Sequence, residues 1–327
     1  MSLTSTLIKK KMRNFKKKNL NVMSVNSLTL VLAIIFLTIG FNIQERFSFW
    51  GTLITEVVIV LIPALLISST GRIKEVLKIK KVPMKSLGLT IILVVLIYPV
   101  ILLLNGVFLS LLSNFIEYKN FPMELMLQNV PIFNYLIFMC LVPAICEEVF
   151  FRGTLTNAYN VYGERFAIVV SALVFALFHF DIQNFIAPFL LGLLFASLIE
   201  VTGSILPAIL GHFVNNVLAV LSARYVNERV FNFLRQTKFS REIGSLELSI
   251  IIILVVLSIF SIVFSRLILK NLKKENQIEG QVKIRYRDVE AIDLFNFVPL
   301  IALVILYFIY HYICLLYTSL MARGRRV

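Results

Sequence analysis

Cys146-Glu147-Glu148-Val149-Phe150-Phe151-Arg152 closes an apolar run that begins near Pro131. Two adjacent carboxylates and a guanidinium stand where a membrane span is expected. Each such charge costs at least roughly 2.5–3.5 kcal/mol at the centre of a span. Three of them within one short stretch need partners, and the other polar groups in apolar runs are where those partners must be found.

The rest of the chain supports the membrane reading. Of its 327 residues, 59% are hydrophobic, and the mean hydropathy is +0.89. Many apolar runs reach the roughly 20 residues that cross a bilayer. The fold class is therefore an all-α polytopic membrane protein. The net charge is +14, but the basic residues cluster beside hydrophobic runs. That is the pattern of cytoplasmic loops touching anionic lipid, and it speaks against a nucleic-acid partner. Cys140, Cys146 and Cys314 have no metal or redox spacing and are read as buried thiols. Cys146 stands beside two carboxylates rather than a cation, which does not suit a nucleophile.

Residues 1–24 form a basic arm with Lys9, Lys10, Lys11, Arg13, Lys16, Lys17 and Lys18. Spans follow near 26–43 and 47–69, with Trp50 as an interfacial anchor. The basic loop 71–85 and the arm both belong on the cytoplasmic side, which two spans between them satisfy. Further helices are expected near 87–115, 131–159, 164–180, 184–200, 204–222 and 248–269. Together they make an eight-helix core over 25–270. A second basic loop covers 271–293, and 294–327 holds a candidate ninth transmembrane helix and a tail. The loop 223–247 breaks the charge rule, because it falls outside yet holds five basic residues against three glutamates. The arginines after 320 would break it again.

Two histidines answer the carboxylates. Gly163 is the natural turn between two helices. Glu147 lies 16 residues before it and His179 lies 16 after it (163 − 147 and 179 − 163). At about 1.5 Å per residue both sit about 24 Å from the turn, at one level of an antiparallel hairpin. In the next hairpin, Thr202-Gly203-Ser204 ends one helix and Ser204 caps the next. His212 lies about 12 Å beyond it, and Asn216 shares its face one turn on. Glu148 and Arg152 stand at i, i+4 in the favourable order for an ion pair. Glu147, about 100° round the helix, is left facing something else. Glu56 and His311 stand alone in apolar runs and are read as structural.

This set fits peptide hydrolysis. A carboxylate beside a histidine can hold and deprotonate a water, and a histidine N–H with an asparagine amide can stabilise an oxyanion. Singly, each of these residues also serves as an interhelical strut. A zinc site of two histidines and a glutamate is the alternative to metal-free chemistry, although there is no His-Glu-x-x-His pattern. A transporter would use the same cluster as a proton relay.

Glu147-Glu148-x-x-x-Arg152, Phe175-x-x-x-His179 and His212-x-x-x-Asn216, in that order, resemble the CPBP (CAAX protease and bacteriocin-processing, or Abi) family of intramembrane endopeptidases. Gly153, Gly203-Ser204 and Pro207 also fit, and the match covers about 131–222. The resemblance implies an eight-helix core with a cavity open to the cytosol. It implies a glutamate-dependent peptidase without a cofactor. It assigns Glu147 and His179 to water activation, His212 and Asn216 to the oxyanion, and leaves Glu148 and Arg152 in support. The Lys-, Ile- and Asn-rich composition suits a bacterial plasma membrane. There a leader peptide or small membrane peptide is a better substrate than a prenylated protein. The non-enzymatic alternative is a bacteriocin self-immunity or scaffold protein that binds such a peptide.

Overall fold

The computed structural model describes residues 20–115, 130–225, 245–276 and 293–324. Most of the basic arm, most of the loop 116–131, most of the loop 223–247 and most of the second basic loop lie outside them, as do Arg325 and Arg326.

Every element among the described residues is helical, as the apolar runs require. The run Val22–Ser68 (α1) is 47 residues long, too long for one span. It breaks at Ser48 (φ 49°, ψ −121°) and folds back on itself. Gly51 permits this, because a Cβ there would lie 2.4 Å from the Ile43 carbonyl oxygen. The two arms match the two spans expected on either side of residue 45. Trp50 sits at the fold-back, largely exposed, with its ring 5.3 Å from that of Phe138.

After a single helical turn at Ile73–Val76, the remaining long helices follow in order: α2 (Met84–Leu112), α3 (Ile132–Tyr162), α4 (Glu164–Phe178), α5 (Ile186–Thr202), α6 (Leu206–Tyr225), α7 (Ser245–Glu275) and α8 (Val298–Gly324). Two arms and seven helices reproduce the eight-helix core and the ninth segment. Within this set, α2 lies against α7 and α6, α4 against α5, and α8 against the first arm of α1. The chain is a multi-pass membrane protein. Side chains such as Ile252, Val256, Ile259 and Val263 on α7 face outward and bare, as lipid contact requires.

The loops that the charge pattern groups together lie at one end of the bundle. The Leu20 N–H donates to Asn157 Oδ1 at 3.0 Å. Ser204 Oγ accepts from the Leu206 N–H at 3.3 Å, capping α6, and its own hydroxyl donates to the Lys80 carbonyl. The Ile205 N–H donates to the Lys78 carbonyl at 3.1 Å. Lys85 pairs with Glu275 at 2.8 Å. Thus the start of α1, the basic loop 71–85, the α5–α6 turn and the end of α7 share one face.

Candidate active site

The turn that sets the first hairpin is at Gly163, as the depth argument requires. Its φ of 103° lies in a region that side chains with a Cβ avoid. From there α4 runs back 15 residues to Phe178, and His179 caps its end. The second hairpin turns at Gly203, which takes the left-handed conformation (φ 67°) that commonly ends a helix.

Three stretches of wide, π-type turn interrupt the helices that build the site: Thr55–Leu61, Tyr135–Leu141 and Glu148–Leu155. Such turns loosen the backbone ladder and recur at functional sites. Hydroxyls cover the loosened carbonyls. Thr154 donates to the Val149 carbonyl at 3.1 Å, and Thr156 and Ser171 donate to that of Phe151 at 2.9 and 2.8 Å. Pro143 has no N–H to give the carbonyl four residues back, that of Met139. That carbonyl instead accepts from Asn216 Nδ2 at 3.3 Å. Proline on α3 thereby helps to position asparagine on α6.

Glu148 and Arg152 form the expected pair, with Nη1 3.1 Å from Oε1 and both side chains fully buried. The guanidinium is also caged by rings, lying 4.0 Å from the Phe175 centroid, 5.6 Å from Phe195 and 5.8 Å from Phe151. A desolvated cation over aromatic faces gains about 2 kcal/mol or more. Gly192 allows α5 this close, since a Cβ there would meet Ala172 at 2.9 Å and Arg152 Nη2 at 3.2 Å.

The pair is not self-contained. Glu148 Oε1 also accepts from His212 Nδ1 at 2.9 Å. A carboxylate only accepts, so Nδ1 carries the proton and Nε2 is presented to the other side. There it faces Glu147, with Nε2 3.8 Å from Oε2. The His212 ring is further fixed by stacking on Phe195, with centroids 5.2 Å apart and planes 17° apart. His179 is held by the same logic. Its Nδ1 donates to the Phe175 carbonyl at 2.8 Å, which leaves Nε2 as the acceptor of the neutral ring. Both imidazoles meet the Phe175 ring edge-on, at 4.7 and 5.9 Å.

Of the six residues singled out in the sequence, Glu147, Glu148, Arg152, His179 and His212 gather around Phe175 and the middle of α3, and Asn216, one turn beyond His212 on α6, bonds α3 earlier, at Met139. Glu147 stands nearest His212. Among the described residues no hydrogen bond or ion pair joins it to His179. Exposure divides the set. Glu148, Arg152 and His212 are sealed, at 0%, 0% and 6% of side-chain surface, whereas Glu147 keeps 17%. His179 and Asn216 are also only partly buried. The sealed groups form a base, and the partly open ones form an edge. Among the described residues no three His, Cys, Asp or Glu side chains stand close enough to share a metal ion.

Two contacts escaped the sequence reading. The Glu148–His212 bond joins residues 64 apart, and no spacing rule announces it. Glu56, read as a lone structural residue, lies within Coulombic reach of Glu147. Its position four residues before Val60 in an apolar run gave no sign of what it faces. His311 does act as a strut: its Nε2 accepts from the Ile182 N–H at 3.0 Å and its Nδ1 donates to the Tyr307 carbonyl at 2.8 Å.

No curated protein and no solved structure matches the chain. Residues 129–218 match the family model described as type II CAAX prenyl endopeptidase, Rce1-like. The match begins at the entry to α3 and ends just after Asn216, so it contains all six residues of the cluster. It supports a CAAX-type peptidase in general terms. Over residues 129–218 this chain is therefore similar to the type II CAAX prenyl endopeptidases, which is consistent with the CPBP resemblance of its motifs.

Proposed function

We propose that the chain is an intramembrane endopeptidase in which a water held between Glu147 and His179 attacks a peptide carbonyl. The water oxygen bonds to the carbonyl carbon, and its proton passes to Glu147. Charge then builds on the carbonyl oxygen. The second N–H of the Asn216 amide and Nε2 of His212, the latter in the imidazolium form that takes a proton from solvent before substrate binds, are the donors for it; such donors are each worth about 10²–10³ in rate. The C–N bond breaks as Glu147 returns the proton to the leaving amine. Glu148 is a positioning residue that fixes the tautomer and plane of His212, and Arg152 in turn holds Glu148.

The observation that carries this reading is the division of the cluster. Of the four groups that would touch water or substrate, Glu147, His179 and Asn216 are partly open, and His212 is sealed with the Glu148 and Arg152 that orient it, presenting only Nε2 toward Glu147. The substrate is a membrane-associated or leader peptide, because the cluster sits among spans. It enters from the face shared by the basic loops, which we assign to the cytosol of a bacterial cell. No step requires a cofactor.

The test is cleavage of membrane-anchored peptide reporters by the purified protein in proteoliposomes. Glu147→Gln should abolish cleavage while leaving insertion and folding intact. Full activity in that variant would remove Glu147 from the chemistry and the mechanism with it.

A further inference from the structure

Glu56 sits in the wide-turned second arm of α1, 7% exposed, with Oε2 sealed from solvent and without a hydrogen-bond partner. That arm packs directly against the Val142–Glu147 segment of α3. Glu56 is within Coulombic reach of both Cys146 and Glu147. Glu147 Oε2 is likewise sealed and without a hydrogen bond. The centre thus holds three carboxylates, Glu56, Glu147 and Glu148, around one fixed cation. That cation, Arg152, pairs with Glu148 and lies over three aromatic rings, and its one charge stands against three carboxylates; its guanidinium nitrogens and Glu148 Oε2 are likewise buried without a hydrogen bond.

Like charges close together in a medium of low dielectric repel strongly. A buried acceptor without a donor also needs a reason to persist, since most such atoms are paired. One arrangement answers both at the Glu56 side of the centre: a cationic group arriving from outside, set between Glu56 Oε2 and Glu147 Oε2. The histidines do not supply it. His179 Nδ1 is committed to the Phe175 carbonyl, and His212 gives Nδ1 to Glu148 and turns Nε2 to Glu147 Oε2 at 3.8 Å, which leaves Glu56 unanswered. Cys146, the other titratable group beside Glu56, carries no positive charge.

We propose that Glu56 and Glu147 together form a subsite for a basic side chain of the substrate, a lysine or arginine next to the scissile bond. This rests on the endopeptidase reading and adds a specificity to it. Glu147 serves both functions from its two oxygens, and Glu56 is the residue committed to recognition. Its place on α1 also explains why a segment outside the family-matched region 129–218 faces the centre.

The experiment uses the full chain in proteoliposomes and a set of membrane-anchored peptides. Each position flanking the cleaved bond carries either lysine or norleucine, which has the same stem without the charge. Wild type should prefer lysine at one flanking position by about thirtyfold in kcat/KM, the scale of leaving a buried charge unpaired. In Glu56→Gln that ratio should collapse to within about threefold. A wild-type enzyme that cleaves with no basic preference at any position overturns the subsite and leaves the endopeptidase reading standing. So does a Glu56→Gln enzyme that keeps the preference. If no peptide is cleaved, the endopeptidase reading is what fails. Binding of the same lysine and norleucine peptides to His179→Ala protein then decides the subsite separately. Tighter lysine binding that Glu56→Gln removes supports it, and equal binding overturns it.

Discussion

Replacing Glu148 by Gln removes one charge and keeps the shape. Glu148 Oε1 holds Arg152 at 3.1 Å and His212 at 2.9 Å, with all three side chains buried. Gln can still accept from His212 Nδ1, so that contact survives as a neutral bond. Among the described residues Arg152 then has no carboxylate within ion-pair distance. Leaving one member of a buried pair unmatched costs about 3–5 kcal/mol, and the aromatic cage offsets only part of it. A loss of about 3 kcal/mol is expected. Glu147→Gln is the control. Glu147 is partly exposed, and its closest partner is 3.8 Å away. Its neutralisation also lowers the surplus of negative charge, so its effect on stability should stay within about 1 kcal/mol. The two isosteric changes at adjacent positions should therefore separate by about 2 kcal/mol or more. Unfolding by increasing detergent denaturant in mixed micelles reads the stability, and reporter cleavage reads the activity. The expected pattern is a folded, inactive Glu147 variant and a destabilised Glu148 variant. Equal stability in the two would refute the division into a sealed base and a reactive edge.

Three further outcomes are expected. Asn216→Ala should lower kcat by about 10²–10³ with KM little changed, since its free amide N–H is needed only when the oxyanion forms; a pure KM effect would assign it to substrate binding instead. Gly163→Ala should cost about 1–3 kcal/mol of stability, because φ 103° and ψ 149° are strained for any residue with a Cβ; an unchanged unfolding midpoint would show that the turn can take another form. Cleavage should persist in a strong chelator, because no three metal-binding side chains come together among the described residues. Loss of cleavage that added zinc restores would bring back the two-histidine, one-glutamate metal site.

Much of this architecture is legible in the sequence because it is governed by local rules. Apolar run length gives the helices. The i, i+4 spacing gives Glu148 and Arg152, and Gly163 gives the turn of the hairpin that α3 and α4 form. Hidden features depend on distant parts of the chain. The His212 bond to Glu148 and the approach of Glu56 to Glu147 arise from how helices rotate against one another, which hydropathy does not encode when every face is apolar. The wide turns are hidden too, apart from Pro143, whose missing N–H hints that the Met139 carbonyl will bond elsewhere. Ser48 marks a break between two arms that the sequence places only through run length and Trp50.

The His311 strut bears on how far this protein can be divided. Helix α8 lies more than 70 residues beyond the family-matched segment (293 − 218), and by that boundary it looks like an appendage. Yet His311 grips the backbone at Ile182, three residues past His179. Tyr307 and Tyr310 lie against the ring of Phe180, at 6.0 and 5.7 Å, where the chain makes its positive-φ exit from α4. Cutting the chain at the edge of the matched region would uncover the bend that aims His179. The smallest fragment that keeps a well-placed imidazole thus includes the last helix, and the apparent add-on belongs to the working unit.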